Sequence, residues 1–291
     1  MSHPGISPGP LLGAHMSIAG GVHQALYRGQ QVGCQAVQIF TRASRQWQAE
    51  PYTDTEIATF RAAQQATGIT TVLAHASYLL NLAASDPALR DKSLRAFIAD
   101  MERCEALGIA ALIAHPGAHV GVGEVAGLAN VARAIDSMHA ACPGFRVRIT
   151  LEITAGQGTN LGYRFEHMRQ ILGLVQDSDR LQFCFDTQHA FAAGYDLRTA
   201  EGYEHTFADF DHLIGLSRLA ALHLNDAKTG CGSRVDRHAH IGTGHLGVPV
   251  FRRLMRDCRF WGLPMCLETP KSKDLHEDME ALYLLRSFLH A

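Results

Sequence analysis

Short apolar segments recur along this chain, separated by longer stretches of mixed polarity. Eight of them, each four or five residues long and rich in Val, Ile, Leu and Ala, have the length and composition of buried β-strands. The seventh segment continues through His223 to Leu224 without losing its apolar character. The predicted strands cover residues 11–14, 36–40, 70–74, 110–114, 147–151, 181–185, 219–222 and 264–267.

The stretches between these strands show the periodicity of amphipathic helices. Strands that alternate with helices form a parallel sheet. Eight such units favour a closed (β/α)8 barrel, a TIM barrel, over an open doubly wound sheet. We expect one domain over residues 11–291, preceded by a flexible leader at residues 1–10. The predicted helices cover residues 19–31, 86–107, 125–141, 163–175 and 200–216.

Composition excludes several classes of protein. With 47% apolar and 19% charged residues, the 291-residue chain resembles an ordinary globular protein. It contains no run of about 20 apolar residues that would span a membrane, and its start lacks the blocks of a signal peptide. A net charge of −2 gives no overall attraction to nucleic acid, so a polyanion would need a local positive charge. Seven scattered cysteines without a CxxC pair predict a reduced, cytoplasmic protein in which each cysteine is a small buried residue.

Ionisable residues follow most of the predicted strands. Because the carboxyl ends of barrel strands meet at one mouth, we expect these side chains to converge there. Burying so many charges without a partner would cost several kcal/mol for each. Bound metal cations would compensate the charges, and a network of histidine–carboxylate hydrogen bonds is the alternative. The ionisable residues at the strand ends are His75, His115, Glu152, Asp186, His223 and Glu268.

Two loops add further candidate ligands. His189 follows Asp186 by three residues, in a segment predicted to be a loop. Asp236 and His238 are two residues apart in a polar loop beyond His223, and in an extended segment this spacing points both side chains the same way. Imidazole and carboxylate groups suit Zn²⁺ or Mn²⁺. The glycines at 242, 244 and 247 match a dinucleotide-binding fingerprint formally, but they follow a polar loop rather than a strand, so no such site is predicted.

The candidate residues lie within longer motifs that extend along nearly the whole chain from Leu11 onward. These motifs are GAHMSIAGG near the start, RQW at 45–47, HASYLLNL from His75, HPGAH from His115, LEITAGQG around Glu152, DTQHAFAAGYD from Asp186, HLNDAK from His223, GSRVDRH ending at His238 and LET around Glu268. Together they resemble the endonuclease IV family of metal-dependent apurinic/apyrimidinic endonucleases.

The resemblance implies a TIM barrel that holds three divalent ions, most often Zn²⁺, with Mn²⁺ possible at one or more sites. All nine ligand positions carry the expected residue type. Four carboxylates against three divalent ions leave a local charge of roughly +2, which would supply the missing attraction for DNA. By this resemblance, the first ion would be bound by His75, His115 and Glu152, the second by Glu152, Asp186, His223 and Glu268, and the third by His189, Asp236 and His238.

The resemblance also implies a reaction and a partner. The family hydrolyses duplex DNA 5′ to an abasic site and leaves a 3′-hydroxyl, and it can also clean blocked 3′ ends. Metal-activated water would be the nucleophile, and Glu152 or Glu268 would accept or orient the proton. We therefore expect a zinc-dependent monomer that acts on abasic or 3′-blocked duplex DNA, without a membrane or an obligate protein partner.

Four residues match the DNA contacts of the family, namely Arg45, Gln46, Tyr78 and Leu79. Their side chains suit insertion into a base stack opened at a missing base. Without the resemblance, Tyr78 and Leu79 would be interpreted as core residues beyond a strand, and Trp47 as a packing residue. Ala43 and Ala76 stand where the family commonly has polar residues, which affects the expected fine contacts with DNA.

A sugar isomerase or epimerase of the same barrel superfamily is the alternative function. Glu152, Asp186, His223 and Glu268 alone also resemble the metal ligands of those enzymes, in which carboxylates move a proton. The remaining five candidate ligands would have no metal role there. A third possibility is a barrel that binds DNA or metal without turnover, and the complete ligand set argues against it.

Overall fold

The computed structural model describes residues 9–289. Its strands are β1 (Leu11–His15), β2 (Ala36–Phe40), β3 (Thr71–His75), β4 (Ala111–Ala114), β5 (Arg148–Glu152), β6 (Leu181–Asp186), β7 (Leu219–Leu224), β8 (Asp226–Ala227), β9 (His238–Ala239) and β10 (Pro264–Leu267). Eight parallel strands close into a barrel in the order β1-β10-β7-β6-β5-β4-β3-β2, which confirms the predicted fold class. Each predicted strand begins at the expected residue or one residue later. A separate antiparallel pair, β8 and β9, lies after β7.

The helices surround the barrel, and all five predicted helical segments contain one. The first begins at residue 24 instead of 19, because Gly20 and Gly21 adopt φ values of 86° and 115° that a helix does not accommodate. Thr53 and Glu56 form a capping box that starts the second helix. Over residues 9–289 the helices are α1 (Gln24–Gln31), α2 (Asp54–Thr67), α3 (Pro87–Leu107), α4 (Glu124–Ala141), α5 (Phe165–Leu174), α6 (Thr187–Ala193), α7 (Ala200–Leu213), α8 (Val248–Arg256) and α9 (His276–Ser287).

The segment after β6 corrects one prediction. The sequence predicts a loop at His189, but this residue lies in α6, which follows the strand without a spacer. The physical reason is that Asp186 ends the strand and also caps the helix, since its carboxylate accepts a hydrogen bond from the His189 amide at 2.8 Å. The short helix places His189 Nδ1 3.0 Å from Glu152 Oε1.

The barrel interior below the mouth is filled by small and aliphatic side chains. Ala36, Ala111 and Ala221 share this layer with two buried cysteines, Cys184 and Cys266. Five of the seven cysteines are buried, as predicted. The prediction was wrong for the exposed Cys231 and Cys258, because the first lies in a surface turn and the second in a 3-10 turn after α8.

Residues 1–8 of the predicted leader lie outside the described part of the chain. Gly9 already contacts the barrel, since its carbonyl accepts a hydrogen bond from the Gly262 amide at 3.2 Å. Between residues 9 and 289, none of the helices combines the length and apolar character that crossing a membrane would require.

Candidate metal centre

Glu152 lies at the centre of the barrel mouth, where the strand ends converge as predicted. Its side chain is fully buried. One carboxylate oxygen, Oε2, lies 3.0 Å from His75 Nε2 and 3.2 Å from His115 Nε2. The other, Oε1, lies 3.0 Å from His223 Nδ1. The two oxygens of Glu152 therefore face two different groups of potential ligands.

The second group combines Glu152 with Asp186, His223 and Glu268. The ligand atoms of these four residues all lie within 4.8 Å of one another. His223 Nδ1 is 3.2 Å from Glu268 Oε2 and 3.8 Å from Asp186 Oδ2. Three carboxylates and one imidazole at this spacing are a donor set that suits Zn²⁺ or Mn²⁺.

The third group forms where α6 meets the polar loop before β9. Asp236 Oδ1 lies 3.3 Å from His189 Nε2 and 3.4 Å from His238 Nε2. Ligand atoms of Asp186, His189 and His238 also lie within 4.8 Å of one another. Asp186 consequently faces both the second and the third group. The structure thus brings together all nine candidate ligands.

The histidine rings are oriented by contacts of their second nitrogen. His75 Nδ1 lies 2.7 Å from the Ala76 carbonyl, His189 Nδ1 lies 2.9 Å from the Ile153 carbonyl, and His238 Nδ1 lies 3.2 Å from the Glu268 carbonyl. Donation from Nδ1 to a carbonyl leaves the lone pair of Nε2 directed at the group of ligands.

Two of these ring nitrogens provide a test of whether a cation fits. Nε2 of His189 and Nε2 of His238 are buried and make no well-directed hydrogen bond, and both face the same carboxylate oxygen, Asp236 Oδ1, at 3.3 and 3.4 Å. One oxygen shared between two buried ring nitrogens leaves their polar atoms incompletely paired, which is costly in a folded protein. Coordination of a divalent ion would satisfy both atoms, and this observation favours metal over a simple histidine–carboxylate hydrogen-bond network. The residues present therefore fit the ions that the sequence predicts.

Opposite charges in the site shift the pKa values of its carboxyl and imidazole groups. Burial opposes ionisation of Glu152, but the imidazoles of His223 and His115 outweigh it and hold the pKa of the carboxyl well below its usual range. Burial also opposes protonation of His189, whereas the carboxylates of Asp186 and Asp236 raise the pKa of that imidazole well above its usual value. Positive charge on the imidazoles would compensate the buried carboxylates. Divalent cations would provide the same compensation with neutral imidazoles.

Three residues that support the site were missed from the sequence. Gln38 in β2 donates from Nε2 to Glu268 Oε1 at 2.6 Å, and its Oε1 lies 2.7 Å from His223 Nε2. Asn225 donates to Asp186 Oδ2 at 2.6 Å. His15, the end of β1, lies 3.7 Å from Glu268 Oε1. Two features of the sequence could have indicated these residues. Gln38 is a polar residue inside an apolar strand, and His15 is a histidine at a strand end that was not included in the predicted cluster.

Tyr78 stands at the rim of the site rather than in the core. Its side chain is 64% exposed, so the alternative interpretation as a core residue is wrong. The ring borders two cavities. One, of about 450 Å³, is also lined by His75, His115 and Asp236, and the other, of about 690 Å³, is also lined by Glu268.

The other predicted DNA contacts are at least partly accessible to solvent. Arg45 and Gln46 are exposed and Leu79 is half-buried. Trp47 is half-buried, and the Lys92 ammonium lies 4.1 Å from the centre of its ring, which agrees with the packing role considered above. Of the two departures from the family pattern, Ala43 is exposed on the rim and Ala76 is buried behind it.

Comparisons with known proteins agree with this geometry. A family model described as xylose isomerase-like TIM barrel matches residues 26–286. The chain is 53% identical over 280 residues to "Probable endonuclease 4" of Chloroflexus aurantiacus, covering 96% of this chain and 98% of the relative. It is 51% identical over 275 residues to the protein of the same name in Geobacter sulfurreducens, covering 94% and 93%.

Two solved structures share the fold of this chain. The crystal structure of endonuclease IV from Thermus thermophilus superposes with a TM-score of 0.83 at 34% identity and covers 96% of this chain and 99% of that one. A D-allulose 3-epimerase from Methylomonas sp. superposes with a TM-score of 0.68 at 16% identity, covering 99% of both chains. The second likeness concerns the fold alone.

Proposed function

This chain belongs to the endonuclease IV family, and from that membership we propose that it is an AP endonuclease. The proposed reaction is hydrolysis of duplex DNA 5′ to an abasic site, which leaves a 3′-hydroxyl, with removal of 3′-blocking groups as a second activity. We further propose that residues 11–291 act as one domain and that the enzyme is a monomer.

The observation that carries this proposal is the convergence of nine ligands into three groups that share carboxylates. Glu152 contributes to the first two groups and Asp186 to the last two. Three divalent ions would give the mouth a charge of roughly +2 despite the net charge of −2 for the chain. A positive mouth at the end of a barrel is suited to a phosphodiester.

When bound, the ions would activate water and stabilise the charge that develops on the phosphate and the leaving oxygen. The protein's own residues would hold the geometry. Glu152 keeps the first two groups together through its two oxygens, and Gln38 orients Glu268 and His223 by hydrogen bonds. We assign the proton acceptor to Glu268, because its side chain is 11% exposed whereas that of Glu152 is fully buried.

The direct test is incubation of the protein with duplex DNA that carries one abasic site. We expect a single cut on the 5′ side of the lesion, no cut in the intact duplex, loss of activity with a chelator and recovery with Zn²⁺. Elemental analysis should find close to three transition-metal ions per chain. Full activity with one ion, or cleavage that resists complete removal of metal, would contradict the proposal.

Replacement of Tyr78 should weaken lesion recognition without disturbing metal binding. Stacking of one aromatic ring on a base contributes about 1–3 kcal/mol. We therefore expect Tyr78→Ala to lower the preference for abasic over intact duplex by on the order of ten- to a hundredfold, measured as the ratio of the two dissociation constants. Tyr283→Ala is a matched control, because Tyr283 is 77% exposed on α9. Loss of metal in Tyr78→Ala would show that the residue is structural.

The second candidate function is a sugar isomerase or epimerase. Glu152, Asp186, His223 and Glu268 alone would support it, and the barrel superposes on epimerases. The third group weighs against it, since Asp236, His189 and His238 would serve no purpose in ketose chemistry. Turnover of a ketose without cleavage of abasic DNA would favour this alternative, and metal binding without either activity would indicate a non-catalytic barrel.

A further inference from the structure

The glycine-rich segment after the polar loop surrounds a buried carboxylate. Asp226, in β8, is fully buried. Its Oδ2 accepts hydrogen bonds from the Gly242 and Gly244 amides at 3.0 Å each, and its Oδ1 accepts one from Leu246 at 2.9 Å. The amides of Ala227 and Gly247 also donate to it. The glycines that resembled a dinucleotide fingerprint therefore form a nest of backbone amides around an anion of the protein itself.

The glycines allow the chain to wrap this closely. A Cβ on Gly244 would lie 2.4 Å from the Ala227 carbonyl oxygen and 2.5 Å from Asp226 Oδ1. Gly242 and Gly247 have φ values of 81° and 75°, which residues with a side chain rarely adopt. A buried carboxylate is costly unless it is hydrogen-bonded, so the segment and Asp226 each depend on the other.

The same carboxylate fastens the loop that carries two candidate ligands. β8 pairs with β9, so that Asp226 lies opposite Ala239 and Ala227 lies opposite His238. Beyond the pair, the chain returns to Asp226 through the amides of residues 242–247. The loop from 228 to 247 is therefore held by the β8–β9 pairing around residues 228–237 and by the Asp226 side chain at residues 242–247.

We propose that Asp226 is a positioning residue for the third metal group. Its carboxylate keeps the loop folded so that Asp236 and His238 remain beside His189. The consequence for catalysis rests on the proposed function, but the consequence for metal binding does not. Asp226 is close to a candidate ligand along the backbone, because its neighbour Ala227 pairs with His238.

The test is the metal content of Asp226→Asn, which keeps the shape of the side chain but turns one acceptor into a donor that faces amide N–H groups. We expect this variant to retain two ions per chain after dialysis and to lose one, with kcat reduced far more than KM. Asp100→Asn is the matched control, because it also changes a buried carboxylate but lies in α3, outside the loop. We expect the control to retain three ions.

A double variant separates positioning from general stability. His238→Ala removes a third-group ligand directly and should also bind two ions, and Asp226→Asn combined with His238→Ala should lose no further ion. If Asp226→Asn does not fold, Gly244→Ala answers the same question, because its Cβ displaces the loop while Asp226 stays intact. Three tightly held ions in the folded Asp226→Asn, or in Gly244→Ala, would overturn the proposal.

The outcome is independent of the nuclease assignment. A wild-type protein that binds three ions without cutting abasic DNA would refute the proposed function and leave the role of Asp226 standing. Equal loss of all ions from both Asp226→Asn and Asp100→Asn would show that metal content follows overall stability, and the positioning role would then be rejected.

Discussion

Glu152→Gln is expected to lower kcat/KM for cleavage of abasic DNA by about 10²–10³-fold, comparable to the loss of a key electrostatic group in other enzymes. Both oxygens of Glu152 face imidazoles at 3.0–3.2 Å. A glutamine would direct an amide N–H₂ at one of the two groups that the carboxylate holds together. We therefore expect the ion of that group to be lost or weakened, which elemental analysis and steady-state kinetics would measure in the same preparation.

A matched control is available for this substitution. Glu201→Gln makes the same change on the exposed side of α7, and it should keep the metal content and activity of the wild type. If Glu152→Gln retained three ions and more than about a tenth of the activity, the shared carboxylate would not be essential, and the arrangement of the first two groups would have to be reconsidered.

The barrel could be predicted because its strands leave a strong local signal. A segment such as residues 110–114 is apolar on both faces, as a strand between a packed interior and a layer of helices must be. The structure has this strand at Ala111–Ala114, and His115 follows it at the mouth. Strand direction then determines which side chains meet, so convergence of the ligands follows from topology without knowledge of any distance.

The residues that orient the candidate ligands could not be predicted in the same way. Nothing near Gln38 in the sequence indicates Glu268 or His223, because those contacts form only when the barrel closes. The helical placement of His189 was missed for a related reason, since Asp186 acts as a strand end, a cap and a candidate ligand at once. The glycines around Asp226 match a nucleotide-binding motif only formally. The group that their amides bind is the Asp226 carboxylate, sixteen or more residues earlier in the same chain.

The loop that carries Arg45 and Gln46, two of the four predicted DNA contacts, is anchored by a buried ion pair. Arg42 Nε and Nη2 donate to the two carboxylate oxygens of Asp100 at 2.8 and 2.7 Å, and the Thr41 hydroxyl donates to the same carboxylate at 2.8 Å. Arg42 also donates to the Gln46 carbonyl. The pair therefore connects α3 to the segment that presents Arg45 and Gln46, although Arg42 itself is 4% exposed and cannot reach DNA as a free side chain.

Asp100→Asn is expected to lower the free energy of unfolding by about 3–5 kcal/mol, because it leaves the buried Arg42 guanidinium without its counter-charge. The measurement is denaturant unfolding of the metal-loaded protein.

An exposed pair provides the control: Arg198 and Asp196 make similar contacts at 2.8 Å with side chains 49% and 40% exposed, and Asp196→Asn should cost no more than about 1 kcal/mol. Replacing both partners, with Arg42→Met and Asp100→Leu, should recover much of the loss, since no charge is then left uncompensated. Equal effects of Asp100→Asn and Asp196→Asn would show that burial does not strengthen the inner pair. Anchoring of the loop that carries Arg45 and Gln46 would then have to come from Arg103, which donates to the Thr41 carbonyl at 2.9 Å.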